Sequence, residues 1–230
     1  MKVVILAGGY GSRISEYTKL IPKPMIKINK QPIIRHIINI YKKYGFDEFI
    51  IATGYKGKII EKYFKNLNLK VKCIDTGKDV MTGGRLKKIQ NYVGDTFFLT
   101  YGDGLSNINI NQLIKFHKKN ERICTVTAVR PPARFGEIIF DKKNLVKNFK
   151  EKPQTHESWI NGGFFVMNRK IFEYIKNDKT ILEQEPLENL AKKKQLCAYK
   201  HYGFWHCVDT LRDKKSIEEI IKLKKKYPWL

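Results

Sequence analysis

The chain has 230 residues with 42% hydrophobic content, which supports one large domain or two small ones with a real core and argues against disorder. A formal net charge of +23 admits nucleic acid, small anions such as nucleotides, or drift toward lysine. The lysines are spread along the chain rather than gathered with arginine and aromatics in a module, so no nucleic-acid partner is expected.

No apolar run reaches the roughly 18–20 residues of a membrane span. Val3–Ala7 is too short for a signal-peptide core, so no membrane association and a cytosolic protein are expected. Val3–Leu6 reads as the first strand. Further strands are expected at Glu48–Ala52, Lys70–Ile74, Thr96–Thr100 and Ile123–Val129. Between them lie helical patterns at Pro32–Tyr44, Gly57–Phe64, Gly84–Val93 and Asn109–Lys119; in the first, Ile33, Ile34, Ile37, Ile38 and Tyr41 recur at helical spacing. Asn109 is a candidate cap. Alternating strands and helices over the first 130 residues imply a mostly parallel sheet with helices on both faces. After Pro131-Pro132 the pattern changes. Gly136–Phe140 and Leu145–Phe149 read as a hairpin, and Gly162–Val166 as a strand. Helices Lys170–Lys176 and Leu182–Lys194, strand Leu196–His201 and helix Thr210–Lys226 follow. Cys73, Cys124, Cys197 and Cys207 make no C-x-x-C pair and read as buried free thiols. With no linker or repeat, the expectation is a single domain over 1–230, its second half packed on its first.

The first strand runs straight into Gly8-Gly9-Tyr10-Gly11-Ser12-Arg13. In open α/β sheets ligands sit beyond the carboxyl ends of strands. Glycines let backbone N–H groups close on phosphate oxygens, and Arg13 adds a forked cation. A plain tight turn would use the same glycines. The third glycine of a dinucleotide fingerprint is absent, and so is the G-K-[ST] of a P-loop. Ten residues on, Pro22 and Pro24 stiffen the backbone around Lys23, a fitting mount for an ammonium that meets phosphate, or simply a surface turn.

L-A-G-G-x-G-[ST]-R followed by P-K-P-M resembles the sugar-1-phosphate nucleotidyltransferases. Met81–Lys87, Thr100–Gly104, Arg134-Phe135-Gly136, Glu151-Lys152-Pro153, Ile160–Val166, Glu183–Leu187, Gly203-Phe204-Trp205 and Asp209–Asp213 are similar to the glucose-1-phosphate cytidylyltransferase branch, nearly end to end. Members of that branch carry an extra segment between the helix ending near Phe64 and Asp75-Thr76-Gly77, where this chain has the short Lys65–Lys72 connection. The resemblance implies a three-layer, Rossmann-like α/β fold with a mixed, mostly parallel sheet and a homo-oligomer. It also implies Mg²⁺-dependent joining of CTP to a phosphorylated small-molecule acceptor. Glucose 1-phosphate is the expected acceptor, with CDP-glucose for surface polysaccharides as product; heptose phosphates or a non-sugar phosphate such as phosphoglutamine are the alternatives. A transferase that uses GTP or UTP and a non-catalytic nucleotide-binding domain are further rivals.

The nucleophile of such a reaction is already an anionic phosphate, so no general base is required. The problem is bringing two polyanions together and holding charge on the leaving pyrophosphate. Asp103 follows the strand Thr96–Thr100 between two glycines, where Mg²⁺ and phosphate would have room. Asp209, before the last helix, is its expected partner, although Asp at that position also caps helices; Asp213 is the weaker candidate. Catalytic roles fall to Lys23, Arg13 and Asp103. Nucleotide contacts are expected from Leu6, Ala7, Gly8, Gly9, Gly11, Ser12, Arg13 and Lys23, and from Thr82, Gly83, Arg85 and Gly102, with Arg85 donating to the cytosine base or facing solvent. Acceptor contacts are expected from Lys152, Asn161, Gly162, Gly163 and Glu183, with Glu185 and His206 as looser candidates; Tyr10 and Trp205 could line the pocket or belong to the core. The nucleotide part is expected in residues 1–130 and the acceptor part in 131–230.

Overall fold

A computed structural model describes residues 1–131, 136–150 and 159–230. Arg134 and Phe135 of the Arg134-Phe135-Gly136 motif and the whole of Glu151-Lys152-Pro153 fall outside the described residues.

Runs of β-branched and aromatic residues become strands because their side chains pack on a pleated surface. The first is β1 (Val3–Ala7), followed by the single turn α1 (Ser15–Thr18), the two-residue strands β2 (Lys27–Ile28) and β3 (Gln31–Pro32), and α2 (Ile33–Lys42). Then come β4 (Glu48–Thr53), α3 (Gly57–Lys65), β5 (Lys70–Asp75), α4 (Thr82–Lys88), β6 (Thr96–Tyr101), β7 (Gly104–Ser106) and α5 (Ile110–Asn120). The second half adds β8 (Cys124–Val129), the ribbon β9 (Glu137–Phe140) with β10 (Val146–Lys150), and β11 (Ile160–Asn168). It ends with α6 (Glu185–Lys192), β12 (Leu196–His201), β13 (Trp205–Cys207) and α7 (Leu211–Lys224).

The main sheet has the order β12-β8-β11-β6-β1-β4-β5. Neighbours pair in parallel except at β11, which runs antiparallel to both β6 and β8. Strands from the two halves of the chain therefore interleave in one mixed, mostly parallel sheet. Side chains alternate between its faces, as a two-residue period requires. Val3, Ile5, Phe98, Phe164 and Val166 join one buried cluster with α2, α3, α5 and α7. Val4, Leu6, Phe97, Leu99, Phe165 and Met167 join the other with α4 and α6. This is the expected three-layer α/β arrangement.

The differences from the sequence reading are local. The segment expected as helix Lys170–Lys176 is 3-10 over Arg169–Tyr174. The helix expected at Gly84–Val93 starts earlier, at Thr82, and stops at Lys88 before a 3-10 turn, Gln90–Tyr92. Pro186, favourable in a first turn and unfavourable inside a helix, starts α6 at Glu185 rather than Leu182. The β7–β13 pair is too short to leave a periodic signal, yet it joins the segments carrying Asp103 and Asp209.

Candidate active site

The central strands β1 and β6 deliver two loops to the same end of the sheet. β1 lies between β4 and β6, the switch point beyond which α/β folds bind ligands. A cleft of about 1690 Å³ opens there.

On one wall is the loop after β1. Gly11 has φ +65°, and a Cβ on it would come 2.8 Å from the Thr18 Cγ2, so only glycine fits the turn into Ser12-Arg13-Ile14. Gly9 is open on its cleft side: nothing lies within 4 Å of where its Cβ would stand. Leu6, Ala7, Gly8, Gly9, Gly11 and Ser12 all line the cleft.

Lys23 opens a 3-10 turn between its two prolines. Its ammonium donates to Asp103 Oδ2 at 2.5 Å and to Asp209 Oδ1, bridging the two carboxylates. Arg13 joins them through Asp209 Oδ2 at 2.7 Å while remaining 71% exposed toward the opening. Burial works against the charged ammonium, but the Asp103 carboxylate and the bonds to both acids outweigh it and raise the Lys23 pKa. Gly102, beside Asp103, is held tight: a Cβ there would meet Pro24 Cγ at 2.8 Å and the Leu6 carbonyl at 2.9 Å. On the other side the Val208 N–H donates to the Asp103 carbonyl, which carries Asp209 to the same spot.

Asp209 is not the cap of α7. Thr210 is, in a capping box with Asp213, whose Oδ2 accepts from the backbone N–H groups of Asp209 and Thr210. Asp213 is thus committed to the helix end and Asp209 is turned to the cleft. Donor atoms of Asp103, Asp209 and Cys207 lie within 4.8 Å of one another. Two carboxylates beside an open cleft are a donor set that suits a hard divalent ion completed by phosphate oxygens and water. The bridging ammonium is already a cation held between them.

The opposite wall is a side-chain network. Tyr101 donates to Glu183 Oε1 at 2.5 Å, Thr82 Oγ1 donates to Glu183 Oε2 at 2.6 Å, and the Asn161 amide donates to the Tyr101 oxygen at 3.1 Å. Burial, reinforced by the Glu183 charge, raises the Tyr101 pKa, so the phenol remains a donor. Gly163, at φ +78°, packs against the Tyr101 ring, where a Cβ would stand 2.4 Å from Cδ2. The Gly162 carbonyl accepts from the Trp205 indole at 2.8 Å.

The remaining expected residues divide between the cleft lining and its surroundings. Thr82, expected at the nucleotide, lines the cleft and donates to Glu183. Gly83 is absent from the cleft lining: it packs on Thr180, whose carbonyl would be 2.7 Å from an added Cβ. Arg85 lines the cleft but is only 4% exposed, its terminal guanidinium nitrogens bonded to the protein's own oxygens. Glu185 pairs with Lys176 at the surface. His206 lines the cleft, and its Nδ1 bonds to the Cys207 carbonyl. Two links across the site escaped the sequence reading. One is Tyr101, silent because an aromatic strand residue reads as core. The other is the Tyr10 hydroxyl, which donates to Asp79 at 2.5 Å and joins the glycine loop to the segment before α4.

The family profile described as nucleotidyl transferase matches residues 2–213. The glucose-1-phosphate cytidylyltransferase of Salmonella typhimurium is 43% identical, with all of this chain and 98% of that protein covered. A probable glucose-1-phosphate cytidylyltransferase of Bacillus subtilis is 42% identical over 97% of this chain and 96% of its own. The Salmonella alignment runs over 255 positions against 230 residues here, so at least 25 positions of that relative have no counterpart. Among solved structures, HddC from Yersinia pseudotuberculosis complexed with GMP-PN superposes with a TM-score of 0.74 at 25% identity, over 96% of this chain and 99% of that one. The family match reaches from before β1 into α7, and with the Salmonella similarity running the full length, this chain belongs to the nucleotidyl transferase family.

Proposed function

We propose that this protein is a cytidylyltransferase that joins CTP to glucose 1-phosphate, giving CDP-glucose and pyrophosphate. An oxygen of the acceptor phosphate attacks the α-phosphorus of CTP and pyrophosphate leaves. The observation that carries the reaction class is the Lys23 ammonium bridging Asp103 and Asp209, with Arg13 beside it, at the open end of the glycine loop. The full-length similarity to the Salmonella enzyme supports the choice of CTP and glucose 1-phosphate.

In this reading residues 1–130 supply most of the nucleotide site and 131–230 most of the acceptor site. The Gly8–Ser12 loop takes the triphosphate with its N–H groups, and Lys23 and Arg13 neutralise it. Asp103 and Asp209 would hold Mg²⁺, which would supply neutralisation of phosphate charge, and Lys23 and Arg13 would then be free for phosphate oxygens. Asn161 and Glu183, anchored through Tyr101, orient the acceptor hydroxyls, with Gly162 and Gly163 giving clearance; Lys152 takes the acceptor phosphate. Fixing both partners in line supplies the proximity the reaction needs. The protein is read as a cytosolic homo-oligomer.

A second reading keeps CTP and changes the acceptor to a heptose phosphate or a non-sugar phosphate. It is favoured by the positions of the Salmonella relative that have no counterpart here. Pyrophosphate release with Mg²⁺, over four nucleoside triphosphates and a panel of phosphorylated acceptors, separates the two. Turnover with CTP and glucose 1-phosphate is expected. Turnover with CTP and only another acceptor moves the substrate; nucleotide binding without turnover in any well overturns the enzymatic reading.

A further inference from the structure

Arg85 projects from α4 beneath the glycine loop. Its Nη1 donates to the Thr53 carbonyl at 3.0 Å, Thr76 Oγ1 at 2.7 Å and the Gly77 carbonyl at 2.7 Å. Its Nη2 donates to the Gly8 carbonyl at 2.8 Å and the Lys78 carbonyl at 3.1 Å. The space it occupies is made by two glycines: a Cβ on Gly8 would fall 2.1 Å from Nη1, and one on Gly54 would fall 2.3 Å from it. A guanidinium is always charged, and burying one is costly unless dipoles surround it. Here the oxygens come from the ends of β1, β4 and β5, the three strands that open onto the nucleotide wall.

Donors committed to carbonyls inside the protein are not available to a base. They do have a geometric consequence. The peptide bonds are trans, so a carbonyl and the N–H of the next residue point in opposite directions. With the carbonyls of Gly8, Gly77 and Lys78 turned to the guanidinium, the N–H groups of Gly9, Lys78 and Asp79 point away from it. Gly9, Lys78 and Asp79 all line the cleft.

We propose that Arg85 is a positioning residue for the nucleotide: by gathering three carbonyls it aims the N–H groups of Gly9, Lys78 and Asp79 as the donors that meet the triphosphate and base. The inference rests on the nucleotide-binding reading of this cleft, not on which acceptor is used. Gly8 is then explained by the guanidinium beneath it as much as by a phosphate above it.

The test uses inorganic tripolyphosphate, which has no base, beside CTP. Affinities are measured calorimetrically with Mg²⁺ for the wild-type protein, Arg85→Lys and the milder Thr76→Val, which removes one oxygen bonded to the guanidinium from a residue outside the cleft lining. Positioning predicts that Arg85→Lys weakens tripolyphosphate about tenfold and CTP by at least as much. Thr76→Val should weaken both in the same order by smaller factors, with the acceptor KM unchanged. Unchanged tripolyphosphate affinity overturns the proposal: with CTP weakened, Arg85 touches the base directly; with CTP also unchanged, it only braces the fold. If Arg85→Lys does not fold, Thr76→Val decides on the same two affinities. Wild-type protein that binds tripolyphosphate but turns over no CTP would overturn the enzymatic reading and leave the role of Arg85 to be judged by these affinities.

Discussion

The two walls of the cleft are built differently. The nucleotide wall is backbone: glycines, turned peptides and the carboxyl ends of strands, with an arginine holding the carbonyls from behind. The acceptor wall is side chains, with Asn161, Tyr101, Glu183 and Thr82 bonded in series across sequence separations of 60, 82 and 101 residues. In the proposed reading the first meets the part of a substrate common to every nucleoside triphosphate. The second then meets a variable acceptor, where exchanging a side chain changes hydrogen-bond pairing without rebuilding the fold. In a part-buried polar network of this kind, removing one member leaves its partners unsatisfied.

The largest expected effect falls where the walls meet. Asp103→Asn should lower turnover by roughly three orders of magnitude while leaving the melting temperature and circular dichroism near wild type. Loss of the fold instead would make Asp103 a structural acid.

The division itself is tested by Thr82, which lies in sequence among the nucleotide residues but bonds to Glu183. Thr82→Val should raise the acceptor KM about tenfold and leave the CTP KM within about twofold. A rise confined to CTP would put Thr82 back on the nucleotide wall. Gly83→Ala probes the helix that carries both walls. With the Thr180 carbonyl 2.7 Å from the new methyl, it should cost about 1–3 kcal/mol of stability, read from urea denaturation, with both KM values unchanged.

The smallest effect concerns the stability of the fold rather than either wall. Burial, the main cause at each, lowers the pKa of His36, His117, His201 and His206. Below an unfolded value of about 6.5 the unfolded chain holds more protons than the folded one, so stability rises with pH through that window and falls on acidification. Melting temperatures should drop from pH 7 to pH 5; an unchanged value would mean these imidazoles protonate freely in the fold.

The glycine loop, the proline-framed lysine and the two aspartates were legible as chemistry because each sits in a short motif at a strand end. Arg85 and Thr82 both read as nucleotide contacts because they share the Met81–Lys87 motif. Neighbours along a helix point in different directions, and a sequence does not say which side is already occupied. Asp209 and Asp213 were ambiguous for the same reason: either fits a helix start, and only the capping box with Thr210 assigns Asp213 to it.

What the sequence determined by itself was the order of the seven main-sheet strands and the longer helices, the two faces of the sheet and the loops that end at the cleft. Those follow from hydrophobic period and from glycine and proline, which act within a few residues. What only the tertiary structure decided was pairing: Lys23 with acids 80 and 186 residues away, Tyr101 with Glu183, and the Arg85 guanidinium with carbonyls from three strands. A hydrogen bond acts only over about 3 Å, so its partner is chosen after packing has brought distant segments together.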